Sequence, residues 1–565
     1  MTRTSHFSFL MGSLLAKYLQ VAKLKNIKDK WHHFVDLFHP FISTSFCGFI
    51  ISSIHLYIND PSIDILNDVD AKFEKDPDRI ITELELKHKK PQNDFMNKLS
   101  LPKGSEAPRE LRRKEFVLRN STLTNLWRSP NVRSLYNLIL AFFVFLYLHI
   151  AIFYYFNVER LKRDLALVSW SFGQFHIVTA VWIGINLSIV FFLHPVFRFW
   201  ASSRAFAKKK GLYDLMFCTL FVLYEAALLI IPPKIIIDCN IPPASSCALV
   251  MEQFRLFMKS YAFVRENINR VLKYKLHQDD DEESNSPPCL EVGKLIYFLF
   301  APTLIYRDSY PRTSGIRWGF VAWNLLQLFL IVLGDYIVYI CFLANSFNKA
   351  GIEPIPITHF VCLMAIAIFA GSMISFVTFY PILHCLPNAF AEMLRFGDRL
   401  FYEDWWNCTS YTKFYRSWNI LVHDWLYFYI YCDMYAILKS RTVAMLSVFL
   451  LSAIVHEYIV AVSLRFIFPP LFTLFYIAGI IFIFMTRRRT SNFWNFFLWF
   501  TLLLGYGLLL VFYSLEMSAR INCPRILARP FHLHLPNLVH VYLGGRECAP
   551  GVPFFEFLIR ILTFN

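Results

Sequence analysis

Charge is what this sequence has least of. Asp, Glu, Lys and Arg make up 17% of its 565 residues, where a soluble globular domain carries about 25%. Hydrophobic residues account for 56% and aromatic ones for 18%, with 59 Phe among them. That is far more apolar surface than one water-soluble core could hide, so a soluble chain is excluded. Metal-ligand spacing is missing too. The 12 cysteines form no CxxC pair and no His/Cys ligand set, which leaves a metal site without support. No nucleophile elbow and no Ser-His-Asp order is found, so a serine-triad mechanism lacks its parts. Lys and Arg outnumber Asp and Glu by 56 to 41, a net charge of +15, yet they are scattered between apolar runs and form no stripe, which excludes nucleic acid as a partner. No small-residue cleavage site clearly follows the short apolar patch of residues 1–16, which argues against a signal peptide.

What the sequence does have is apolar runs of membrane-crossing length. Nine spans are expected, at 134–156, 172–194, 214–237, 243–264, 317–343, 359–384, 442–464, 466–485 and 493–514. The fold class that follows is all-α, a multi-pass membrane bundle. The fourth span is interrupted by Glu252, Arg255 and Lys259. Basic loops set the orientation: Arg198, Arg204, Lys208, Lys209 and Lys210 follow the second span and Arg487, Arg488 and Arg489 the eighth, whereas the loop after the fifth holds only Lys349. Short basic loops stay cytosolic, and placing both on that side requires an even number of crossings between them, so the fourth span must count. The N-terminus is then cytosolic and the C-terminal tail luminal. Three regions follow: a cytosolic, partly disordered N-terminal arm (1–133), a membrane domain (134–515) with polar cytosolic segments at 265–316 and 386–441, and a luminal tail (516–565).

The chemistry is concentrated between Leu400 and Phe466. The helix expected at 442–464 carries His456 and Glu457 in an otherwise apolar run. An ionisable residue at that depth is costly and marks a functional site by default, although a histidine in a bundle also serves as a packing residue that donates to a carbonyl. Upstream lie FYEDWWN, with Phe401, Tyr402, Asp404, Trp405, Trp406 and Asn407, and WNILVHDW, with Asn419, His423 and Asp424. Asn419 and His423 are four residues apart, as are Ser452 and His456, so each pair shares one helix face. Two such pairs on facing helices could line one reaction chamber. Trp405 and Trp406 are expected in an interfacial aromatic belt, and Asp404 and Asn407 as hydrogen-bonding supports of the loop.

In that order and spacing, FYEDWWN, WNILVHDW and SAIVHEY resemble the membrane-bound O-acyltransferases, and within them the sterol O-acyltransferase branch. Further matching stretches are FVREN at 263–267, APTLIYRDSYPRT at 301–313 and NAFAEMLRFGDR at 388–399. The resemblance covers roughly residues 110–548 and leaves both ends uncovered. It implies transfer of a long-chain acyl group from acyl-CoA to a sterol hydroxyl in the endoplasmic reticulum membrane, by a homo-oligomer (dimer or tetramer) that needs no cofactor, acyl-CoA being a substrate. His456 would be the general base, and Asn419 a donor to the thioester carbonyl. The family's acyl-CoA contacts fall here on Arg416, Asn419, His423, Tyr431, Arg441 and Ser452. Lys413 could also meet a phosphate, although it stands where relatives carry a neutral amide, and the lesser alternative for Arg441 is a snorkelling residue at a helix end. The sister diacylglycerol acyltransferases share FYxxWWN and HEY. Asp424, found where that branch carries a basic residue, and YRDSYPR, which it lacks, both favour the sterol branch. A channel or transporter with His456 as a proton relay is the reading from another class, but no internal repeat or Gly/Pro-broken helix pair supports it. The resemblance also implies a luminal disulfide between Cys523 and Cys548.

Overall fold

The computed structural model describes residues 114–273, 291–340, 343, 346–347 and 357–522. Most of the expected N-terminal arm lies outside them, as do Cys523 and Cys548, and with them the disulfide expectation. The described part falls within a single compact unit, Glu110–Asn565.

Among the described residues there is no β-strand, only single bridges tying Arg119 to Asp398 and Arg312 to Phe396. A chain in lipid must satisfy its backbone within each segment, which selects helices. In chain order these are α1 (Pro130–Phe156), α2 (Val158–Ser171), α3 (Phe175–Ser188), α4 (His194–Ser203), α5 (Lys210–Asp238), α6 (Pro243–Lys273), α7 (Val292–Phe300) and α8 (Trp318–Tyr339). Then follow α9 (Ile357–Phe379), α10 (Leu386–Met393), α11 (Tyr411–Ser417), α12 (Ile420–Trp425), α13 (Cys432–Leu438), α14 (Arg441–Leu464), α15 (Gly479–Met485) and α16 (Asn492–Asn522). Wide π-helical turns at Ile189–Leu193, Tyr380–Cys385, Leu426–Tyr431 and Thr473–Ala478 join several of them end to end.

Among the described residues seven helical runs are long and apolar enough to cross a membrane, and Pro470–Met485 is a shorter apolar run. The protein is therefore an all-helical, multi-pass membrane protein, but the expected count of nine is not reached. The expected span 466–485 contracts because Arg465 ends α14 in a left-handed conformation (φ 61°) and the next helix starts only at Pro470, where proline is favoured. The fourth, 243–264, lies within α6, which is helical throughout. Its interrupting charges hold the end of α7. The fully buried Lys259 Nζ donates to the carbonyls of Phe298, Leu299 and Ala301 at 2.6, 2.9 and 2.7 Å. Arg255 donates to Leu299 O at 2.5 Å and pairs with Glu252 at 2.8 Å, and Glu252 accepts from Trp182 Nε1 at 2.7 Å. A helix C-terminus leaves its last carbonyls without partners, and these cations supply them.

Small residues set a close helix crossing between α9 and α16. A Cβ on Gly507 would lie 2.4 Å from Ile368 Cα, and one on Gly371 would lie 3.2 Å from Gly507 Cα. Close approach through glycine is a recurrent way to pack helices in lipid, where no hydrophobic force drives association.

Candidate active site

FYEDWWN is a short irregular segment held from all sides. Its backbone is pinned to the end of α11 and the start of α12 by Glu403 N donating to Ser417 O and Ile420 N to Phe401 O, both at 2.9 Å. Phe401 and Tyr402 are fully buried. The Tyr402 hydroxyl meets His384 Nδ1 at 2.6 Å, and its carbonyl accepts from Thr122 Oγ1 at 2.8 Å. The belt expectation fails for Trp405. Its ring is 5% exposed and lies 4.5 to 5.4 Å from the rings of Trp418, Phe379 and Trp499, so apolar packing within the protein takes it from the interface. Trp406 is half-buried, and its carbonyl accepts from Asn495 Nδ2 at 3.0 Å and Trp499 Nε1 at 3.2 Å. Asp404 O accepts from Asn407 N at 3.1 Å, and the Asp404 carboxylate lies 4.0 Å from Lys413 Nζ.

Three of the following helices, α11, α12 and α14, start on a polar cap, as their unpartnered N–H groups require. Ser410 Oγ accepts from Lys413 N, Asn419 Oδ1 from Val422 N at 3.2 Å, and Ser440 Oγ from Val443 N. Asn419 thus spends its carbonyl on the helix and keeps its NH₂ group, a donor, for other use. From His423 an i, i+4 ladder of rings follows the helix through the π turn: His423, Tyr427, Tyr431 and Tyr435 stack at 6.1, 5.6 and 6.3 Å with planes within 14°. Lys413, Arg416 and Arg441 are exposed, and among the described residues neither Arg416 nor Arg441 has a carboxylate partner. Arg441 is also the first residue of α14, where the unpartnered amides and the helix dipole favour an anion.

His456 sits in the third quarter of α14. Its Nδ1 lies 2.7 Å from Ser452 O and 3.5 Å from Ser452 Oγ. An Nδ1–H donated to that carbonyl leaves Nε2 as the lone-pair acceptor. One face of the ring stacks on Phe475 at 5.2 Å, while the residue as a whole is exposed. Phe475 in turn lies 5.6 Å from Tyr415, which also meets Phe449 at 5.0 Å. This aromatic bridge brings α11, with Lys413 and Arg416, to the face of α14 that carries Ser452 and His456. Both π turns that touch the site, Leu426–Tyr431 and Thr473–Ala478, fit the tendency of such wide turns to occur where function needs a re-aimed side chain.

An apolar cavity of about 750 Å³ lies against the other face of α14, lined by Leu229, Pro233, Ile454, Glu457, Ala461 and Phe472, among others. His456 is not among its walls. Glu457 accepts from Phe472 N at 3.0 Å and from Tyr513 at 3.3 Å, which fixes the turn after α14.

The other matching stretches form the frame around the ladder. Glu266 of FVREN pairs with Arg307 at 2.8 Å and accepts from Tyr429 at 3.0 Å, Arg265 pairs with Asp433 at 2.9 Å, and Arg270 pairs with Asp308. In NAFAEMLRFGDR, the buried Glu392 holds Arg317 and Arg399 at 2.8 and 2.7 Å. Sequence reasoning did not single out His384 or Lys114, and it read Lys259 only as an interruption of the fourth span. His384 was legible as a polar residue closing an apolar span, whereas the partners of the two lysines lie far away in the chain.

Comparison with known proteins decides the family. The model of the membrane-bound O-acyltransferase family, MBOAT, matches residues 208–515. The chain belongs to this family. It is 40% identical over 433 residues to sterol O-acyltransferase 1 of Mus musculus, covering 76% of this chain and 79% of that protein. With sterol O-acyltransferase 2 of Homo sapiens it shares 37% over 422 residues, 73% of this chain and 77% of that one. The resemblance read from FYEDWWN, WNILVHDW and SAIVHEY is borne out, and every site residue from Phe401 to His456 falls inside the family match of this membrane-bound O-acyltransferase.

Proposed function

We propose that this acyltransferase moves a long-chain acyl group from acyl-CoA to the hydroxyl of a sterol. The observation that carries the reading is the state of His456: an intramembrane histidine whose Nδ1 is occupied by Ser452 O and whose ring is exposed. A packing histidine would be enclosed. This one offers Nε2 to whatever enters beside Phe475.

In the proposed step Nε2 takes the sterol hydroxyl proton as the oxygen attacks the thioester carbonyl. The Asn419 NH₂ group donates to the oxyanion. The tetrahedral intermediate then expels the CoA thiolate, which takes the proton back from the imidazolium, so atoms and charge balance with no cofactor and no acyl-enzyme. Arg416, Lys413 and Arg441 face the CoA phosphates, Tyr431 and His423 offer ring faces and hydrogen bonds, and Ser452 holds the base. We place the protein in the endoplasmic reticulum membrane as a homo-oligomer, with a cytosolic N-terminus and a luminal tail. The basic loops carry that orientation, which requires both α6 and the shorter run Pro470–Met485 as crossings.

The test is product identity. Purified protein is given labelled oleoyl-CoA with cholesterol or with diacylglycerol, and the labelled lipid is identified. Cholesteryl ester is the expected product; triacylglycerol alone, or no ester from either acceptor, overturns the reading.

A further inference from the structure

Residues 114–122 form a strap across the cytosolic motifs. Arg119 N donates to Gly397 O at 2.9 Å, and Arg399 N donates back to Arg119 O at 3.1 Å. The Arg119 guanidinium meets both oxygens of Asp398, at 2.6 and 3.1 Å. Phe116 packs edge-on against Tyr310 at 5.1 Å, and Thr122 caps the Tyr402 carbonyl. Gly397 is required for this docking, because a Cβ there would lie 2.6 Å from Leu118 Cδ1 and 2.8 Å from Pro311 O.

At the near end of the strap, Lys114 reaches across 310 positions of sequence and pairs with Asp424 Oδ2. The two side chains are only 12% and 17% exposed. Asp424 Oδ1 lies 3.4 Å from His423 Nδ1, so one carboxylate is shared between a cation from the strap and the imidazole that begins the ring ladder. Tyr427 stacks on that imidazole from the next turn. Burial alone would raise the Asp424 carboxyl, but the hydrogen bond from His423 and the Lys114 ammonium overcome it and hold the group below the usual carboxylate range.

We infer that Lys114 is a positioning residue of the acyl-CoA site: by pairing with Asp424 it fixes the orientation of the His423 ring, and the strap is thereby part of the donor-binding machinery. This rests on the placement of His423 at the donor site proposed above. Without Lys114, Asp424 turns its full charge on His423 and loses its fixed geometry. The ring then no longer meets the donor in a preset orientation. The loss falls on donor binding in ground and transition states alike, because Lys114 touches no reacting atom.

The test compares Lys114→Gln, Lys114→Arg, His423→Ala and the Lys114→Gln/His423→Ala pair in the full-length protein, with KM for oleoyl-CoA and kcat measured at saturating cholesterol. Lys114→Gln is expected to raise the donor KM about tenfold with kcat held within about twofold, and Lys114→Arg to restore most of the loss. In the His423→Ala background, Lys114→Gln is expected to add nothing, since residues acting through one group are not additive. An equal effect of Lys114→Gln in both backgrounds, or a fall in kcat with unchanged donor KM, overturns the proposal. A His423→Ala enzyme with wild-type donor KM instead removes His423 from the donor site, so the two failures are told apart. If Lys114→Gln does not fold, Asp424→Asn carries the same expectation, and a wild-type donor KM in that variant ends the idea.

Discussion

Replacing His456 by Asn separates the chemistry from the scaffold. The asparagine NH₂ group can still donate to Ser452 O, the contact that Nδ1 makes at 2.7 Å, so the side chain stays anchored to its own helix. What disappears is the Nε2 lone pair. Because His456 is exposed and only one face of its ring rests on Phe475, the smaller side chain leaves no enclosed cavity, and stability should change by no more than about 0.5 kcal/mol. A positioned general base contributes at least about 10²-fold, or about 2.7 kcal/mol of barrier, so kcat should fall by that factor while KM for acyl-CoA changes little. The assay follows cholesteryl ester formation from labelled oleoyl-CoA at saturating donor and acceptor, with size-exclusion profile and thermal midpoint as controls for folding. A well-folded His456→Asn enzyme working at the wild-type rate would refute the mechanism. Poor expression or a broken oligomer would return His456 to a packing role.

Three further outcomes are expected. Arg441→Ala should raise the donor KM by about tenfold and leave kcat nearly unchanged, as loss of a phosphate contact present in both ground and transition states requires; a lower maximal rate at unchanged donor dependence would count against the phosphate role. Gly507→Ala should destabilise the α9–α16 crossing by about 1 to 3 kcal/mol, because the new Cβ would stand 2.4 Å from Ile368 Cα; an unaltered thermal midpoint would show that the helices separate freely. Cys523 and Cys548 should be recovered as one cross-linked pair in non-reducing peptide mapping, the bond adding roughly 3 kcal/mol; recovery of two free thiols ends that expectation.

By itself the sequence determined the class of structure. In lipid each segment must satisfy its own backbone, so length and hydropathy translate directly into helices. Seven of the expected spans are long apolar helices for that reason. The same physics made His456 conspicuous, because an ionisable group at membrane depth is costly and therefore rare. Local spacing held for one pair and not the other. Ser452 and His456, four apart, do share one face of α14 and touch, whereas Asn419 is not on a helix face with His423 but caps α12 from an extended backbone.

Tertiary structure decided whatever depends on partners distant in the chain. Charge in α6 reads as an interruption until the bare carbonyls at the end of α7 arrive beside Lys259 and Arg255. Trp405 reads as an interfacial tryptophan, and it is the approach of Phe379, Trp418 and Trp499 that turns it into core. Lys114 reads as one basic residue in a polar arm; only folding places it against Asp424, 310 residues away. Hydropathy and periodicity report the solvent a residue meets and the face it occupies, both local properties. Which groups neutralise, cap or aim one another is settled only when separate helices pack.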